Sequence, residues 1–185
     1  MIRFLFLLCV AIPLTALPGV EVSSKAIPDS ATVGSATVPL SGAALLKYKW
    51  VISLYVAGLY VPAGTAHTAA AAVAVSPKRL LMDYARDIPR EKMVEATDGT
   101  IGNGLSEAQR TALQPSLTAW NALYPAPREN DVLTFDHLPG GVLIMSLNGT
   151  EVGRLTDEAF AQALFAIWIG EQPVKESLRD TLIGL

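Results

Sequence analysis

Between Ala159 and Ile169 the only polar side chain is Gln162, while Phe160, Ala161, Ala163, Leu164, Phe165, Ile167, Trp168 and Ile169 cover every side of a helix. A helix that is apolar all round lies either in a core or in a membrane, and about eleven residues fall well short of a bilayer span. The chain must therefore wrap other elements around this helix. Thr156 is placed to cap its start, Asp157 and Glu158 suit its positive end, and Gly170 is available to stop it. Pro173 is expected to open a second, amphipathic helix that buries Leu178, Leu182 and Ile183.

A length of 185 residues suits one domain with a sizeable core. Residues 1–16 read as a secretory signal peptide: Arg3 gives the positive start, Phe4 to Ile12 the apolar run, and Leu14-Thr15-Ala16 the cleavage site. The expected folded domain is then 17–185, in a secreted, periplasmic protein. Cys9 falls inside the apolar run, too early for a lipid-attachment site, so the processed chain would carry no cysteine for disulfides or thiol catalysis. Without Arg3, 13 basic residues face 17 acidic ones, a net charge of −4. Such a balance argues against nucleic-acid binding, which needs a basic surface to release counterions from phosphates. His67 and His137 stand far apart with no acidic or cysteine partners at ligand spacing, and both are expected to be solvated or hydrogen-bonded. No metal or cofactor is expected, and no membrane span.

The middle of the chain alternates between strand and helix signals. Trp50 to Val61 is β-branched and aromatic with both faces apolar, as in a central strand, and Gly58 within it suggests a bulge or a close backbone approach. A second strand is expected from Lys78 to Arg86, and Pro89 then starts a helix that turns Met93, Val94, Ala96, Thr97 and Ile101 to the core. Ser106 with Gln109 makes a capping box, followed by a stripe of Leu113, Leu117, Trp120 and Tyr124. Asp131 to Leu138 and Val142 to Leu147 read as strands, with a tight Asn148-Gly149 hairpin into a third. Ala-rich residues 67–75 suit a short helix or loop. This order gives an α+β fold with helices on one face of an antiparallel sheet.

Three blocks carry a family resemblance: LSGAALLKYKWVISLYVAGLYVP, LLMDYARDIPREKMVEA and LNGTEVGRLTDEAFAQALFAIWIGEQP. Together with the helices between them they make the chain, from about Val33 to Leu185, similar to the chalcone isomerase-like family in its bacterial secreted branch. The resemblance implies an open-faced β-sandwich, a large antiparallel sheet covered on one face by helices, with a ligand cleft between the layers. Some family members are plant enzymes that close a chalcone to a flavanone; others bind fatty acids.

The enzymatic reaction needs an arginine and a network of hydroxyls to hold developing negative charge. By this resemblance the enzyme's threonine position falls at Tyr55 and its arginine near Ala43, with Lys47 at the basic position once a gap is allowed. The remaining catalytic positions fall near Met93, Thr100 and Ile167. The catalytic set is thus largely absent, and whether the protein is an enzyme stays open. The first expectation is binding of a small apolar carboxylate such as a fatty acid, with Lys47 and Tyr55 as the ligand-binding pair. Alternatives are an isomerase or intramolecular lyase acting on an enone-like substrate, and a structural or partner-binding protein with a closed cleft. Ser53, Tyr60 and Tyr84 are expected to be structural.

Overall fold

The computed structural model describes residues 19–49 and 51–185. The expected signal peptide lies outside these residues. A seven-stranded antiparallel sheet runs in sequence order as an uninterrupted meander. Its strands are β3 (Ser30–Val33), β4 (Ala36–Tyr48), β5 (Ile52–Tyr60), β6 (Lys78–Tyr84), β7 (Val132–Leu138), β8 (Val142–Leu147) and β9 (Thr150–Thr156). A small hairpin of β1 (Gly19–Val22) and β2 (Lys25–Pro28) precedes them. The helices are α1 (Ala69–Ala74), α2 (Arg90–Thr100), α3 (Glu107–Leu123), α4 (Glu158–Ile169) and α5 (Glu176–Ile183). The fold is α+β, as its element order predicts.

The all-apolar helix is α4, and it is enclosed. It packs on β8 and is flanked by α1, α2, α3 and α5, so Phe160, Ala161, Leu164, Phe165 and Ile169 lose essentially all contact with water. Complete burial of a large apolar side chain is worth about 1.5–3 kcal/mol. Trp120 of α3 meets Phe160 and Phe135, and Phe135 meets Trp168, with ring centroids 5.4–6.0 Å apart. These edge and tilted contacts join α3, α4 and β7. The cap differs from expectation: Thr156 ends β9, and the Asp157 carboxylate accepts from the Phe160 amide at 3.0 Å. Continuing the strand to Thr156 leaves Asp157 as the first residue free to turn. α5 starts at Glu176 with Lys175 as its cap, three residues beyond Pro173.

Other local readings stand. Ser106 and Gln109 form the capping box at 3.3 and 2.9 Å, and Leu113, Leu117, Trp120 and Tyr124 are all buried. Asn148 and Gly149 both have positive φ, 51° and 79°, which suits the twist of a two-residue hairpin. Gly58 is a site of close approach, since a Cβ there would stand 2.9 Å from Ile27 Cγ2. That contact belongs to the far face of the sheet, where Ile27, Val33, Val38, Val56 and Tyr60 form a second, smaller core. The Tyr60 hydroxyl donates to Pro28 O at 2.9 Å and Lys25 pairs with Asp83 at 2.6 Å. The β1–β2 hairpin is thereby fastened over that face.

Candidate functional site

The helix layer does not close completely over the sheet. Between β4–β7 on one side and α2 and α4 on the other lies a cavity of about 720 Å³, well inside the range of roughly 300–1,000 Å³ typical of small-molecule sites. Its walls are mainly apolar: Leu46, Leu54, Met82 and Phe135 from the sheet, Ile88 from the segment entering α2, Met93 from α2 itself, and Ile167 and Trp168 from α4. Strand alternation supplies most of this wall. Met82 and Tyr84 lie on one face of β6 and are fully buried, and Tyr55 stands opposite Tyr84 in the β5–β6 register. A bulge extends it. Leu46 pairs with Tyr55 but Lys47 pairs with Ser53, so Leu54 is an extra residue, and beyond it Ile52 lines the cavity. α2 roofs this space and reaches the core mainly at its far end. Of the core-facing stripe that the sequence predicts, Thr97 and Ile101 are buried and Met93 and Val94 pack half-buried against the core, whereas Ala96 is exposed at the cavity.

Among the described residues four buried hydroxyl side chains line the cavity, Tyr55, Tyr84, Thr97 and Tyr124, with Thr100 and Tyr48 towards its edge. Tyr55 Oη accepts from Trp168 Nε1 at 2.8 Å, and its own proton has no acceptor among the described residues. Tyr84 donates to the Met93 sulfur at 3.3 Å, a weak acceptor. Thr97 Oγ1 and Tyr124 Oη lie 2.8 Å apart, so one of their two protons is unspent in that bond. Burial pushes all three phenols above their ordinary 10.0, Tyr124 to about 12 despite its bond to Thr97. Each is therefore a neutral donor at physiological pH. The charges are on the rim: Arg86, Asp87, Lys92 and Glu95. Lys92 pairs with Glu95, and Asp87 accepts from the Glu129 amide at 2.8 Å. Arg86 is exposed and has no partner among the described residues.

The two expected ligand-binding residues part company here. Tyr55 is in the cavity wall. Lys47 is not: its neighbours Leu46 and Tyr48 both line the cavity, so alternation turns the intervening lysine away, and it stands exposed. Tyr84, which reads from sequence as structural, lines the cavity beside Tyr55 with ring centroids 5.4 Å apart. Arg86 is a rim residue that sequence reasoning misses. Its signal lies in its position, two residues after Tyr84 on the segment that leaves β6 for the site. Met93, Thr100 and Ile167 all line the cavity, whereas Ala43 packs against the small core of the far face.

A separate polar cluster lies at the other end of the helix-covered face. Lys78 is fully buried, donates to the carbonyls of Val73 and Val75, and lies 4.8 Å from the centre of the Phe165 ring. Burial pulls its ammonium down to about 8 against the opposing charge of Glu158. Across the strand pair His137 is also buried, with Nε2 3.2 Å from Glu158 and Nδ1 unpartnered. Of the two states that the sequence allows this histidine, it takes the hydrogen-bonded one, because it stands on the inward face of β7. Among the described residues no three His, Cys, Asp or Glu side chains gather to hold a metal ion, and no helix is long and apolar enough to cross a membrane.

This architecture has counterparts among known proteins. No curated protein matches the chain in sequence. A solved structure of a fatty-acid binding protein from Arabidopsis thaliana superposes on it with a TM-score of 0.63 at 17% identity. The match covers 88% of this chain and 93% of that one. At that identity the match establishes a shared fold. The sequence profile described as chalcone isomerase-like matches residues 19–184, and the chain therefore belongs to the chalcone isomerase-like family.

Proposed function

We propose that the protein binds a small apolar carboxylate, such as a fatty acid, in the cavity between sheet and helices. The observation that carries this reading is the cavity itself: about 720 Å³, walled by apolar side chains, with unspent hydroxyl protons inside and a free guanidinium on its rim. An apolar tail would gain by leaving water for such a space. Among the described residues no cation lines the interior, so a carboxylate drawn fully inside would meet only neutral donors, a costly arrangement. The lower-cost pose keeps the carboxylate at the mouth, against Arg86, with the tail inside near Tyr55 and Trp168. In this reading Arg86 takes the part that sequence alone gave to Lys47, and Tyr55 remains a ligand contact. The Arabidopsis protein of the same fold is named for binding this class of ligand, which supports the reading.

Two other readings fare less well. A closed, purely structural cleft conflicts with a cavity of this size. Cyclisation of an enone requires charge stabilisation where the site offers Met93 and Ile167. The test is displacement of the fluorescent fatty acid cis-parinaric acid by oleate and by methyl oleate. Arg86→Ala should weaken oleate binding about fivefold, the roughly 1 kcal/mol of a rim-exposed ion pair, and leave the ester unaffected. Lys47→Ala should change neither. A loss on Tyr55→Phe with none on Arg86→Ala would place the carboxylate inside instead, and no displacement by either compound at micromolar concentration would end the binding reading. We further propose export, supported by the signal-like run after Arg3. The amino-terminal sequence of protein recovered from the native host checks it, and retention of Met1 would refute it.

A further inference from the structure

The hairpin that joins β4 to β5 carries an unusual combination of side chains beside the cavity mouth. The large apolar residues that stand exposed among the described residues are Val20, Tyr48, Val51, Val152, Val174 and Leu185. Tyr48 and Val174 line the cavity rim, and Val51 sits at the hairpin turn, its amide bonded to the Tyr48 carbonyl. Val51 is 76% exposed and Tyr48 52%, so neither side chain is explained by packing within the chain. Lys47 and Lys49 flank Tyr48 in the hairpin and Arg86 lines the same cavity, all three exposed and without a carboxylate partner among the described residues, and the Lys49 ammonium lies 5.3 Å from the centre of the Tyr48 ring. The acidic groups of the rim are engaged, Glu95 by Lys92 and Asp87 by a backbone amide.

We propose that this rim docks on an anionic bilayer surface, with Tyr48 and Val51 entering the headgroup layer and the cavity mouth facing the lipid. Charge favours this occupant. The whole chain is acidic, with a net charge of −3, so an anionic surface repels it in most orientations and attracts it through Lys47, Lys49 and Arg86. The residue types fit as well. Tyrosine prefers the interface, and lysine and arginine extend along apolar surface while keeping their charge in the headgroups. A second copy of the chain fits poorly, because a two-fold contact would set these cations against themselves. Position supplies the purpose: an apolar ligand could pass between bilayer and cavity without crossing water. That purpose rests on the ligand reading above, whereas the docking can be measured without any ligand.

Co-sedimentation of the purified protein with phosphatidylglycerol-containing vesicles and with pure phosphatidylcholine vesicles provides the test. Binding should favour the anionic vesicles by about tenfold or more and should fall as salt rises. Lys47→Glu/Lys49→Glu should abolish that preference and Val51→Ser should weaken binding several-fold, with cis-parinaric acid affinity and thermal melting unchanged in both variants. Equal binding to the two vesicle types, absence of binding to either, or indifference to the charge reversal would overturn the proposal. An acidic protein partner would then become the better reading of the same surface. Vesicle binding without parinaric acid binding would retain the docking surface and remove the ligand, and the reverse result would do the opposite.

Discussion

Trp168 serves the core and the cavity together. Its indole packs edge-on against Phe135 and donates to Tyr55, fixing a phenol whose proton is left for a ligand. Trp168→Ala should cost about 3 kcal/mol, the low end for a buried tryptophan, because one side of the ring already faces a cavity. Chemical denaturation checks this, and a loss below about 1 kcal/mol would mean that the indole contributes little to the core. Lys78 makes the sharper statement about pH. Its ammonium is pulled from 10.5 down to about 8 by burial, so between those values the unfolded chain holds more protons and stability rises with pH. Above pH 10 the buried phenols reverse the slope, since the folded chain keeps protons that the unfolded chain releases. His137 is lowered from 6.5 by burial and by Lys78, so a further loss is expected as pH falls through 6.5. Unfolding free energies across this range should climb from about pH 8 towards 10 and then drop. Lys78→Met should flatten the climb and spare the alkaline drop; if the climb persists, another group causes it.

Among the elements, α5 and β4 are the pair most dependent on one residue. A Cβ on Gly42 would stand 2.0 Å from the carbonyl oxygen of Thr181 and 3.0 Å from that of Leu182. The α5 backbone thus lies directly on the strand, and a backbone oxygen cannot rotate aside as a side chain can. Gly42→Ala should therefore cost about 3 kcal/mol, the upper end for overpacking, and should speed hydrogen exchange in α5 more than in α3. A change under about 0.5 kcal/mol would show that the helix shifts freely. The bulge at Leu54 matters in a different way, because it sets which residues of β5 reach the cavity. Without this bulge, simple alternation below Tyr55 would turn Ser53 inward in place of Ile52.

For the molecule as a whole, a ligand that binds only the folded cavity must also stabilise the fold. At a free concentration about one hundred times its Kd the gain is about 2.7 kcal/mol. For a chain of this size that corresponds to a rise in Tm of about 5–11 °C. Oleate should produce this shift in a thermal melt, and Arg86→Ala should reduce it at the same oleate concentration. A melting temperature indifferent to oleate would argue that nothing of that class enters the cavity.

The elements of this fold follow from short-range features. An apolar α4, the Ser106–Gln109 box, the Asn148-Gly149 turn and the period-two strands each express local geometry that the residues enforce by themselves. The order of those elements then leaves few arrangements other than a meander with its helices on one side. The cavity does not follow in this way. A space is defined by side chains that fail to meet, and Met93 of α2 is half-buried over a void because of where α4 and β6 hold Trp168 and Tyr84. Lys47 illustrates the limit most clearly. Family resemblance puts it near the site, but its side chain points away because Leu46 and Tyr48, its neighbours on the strand, face the cavity. Arg86 becomes recognisable as the rim cation only once the tertiary structure shows which charged residues surround the mouth and which of them already have partners.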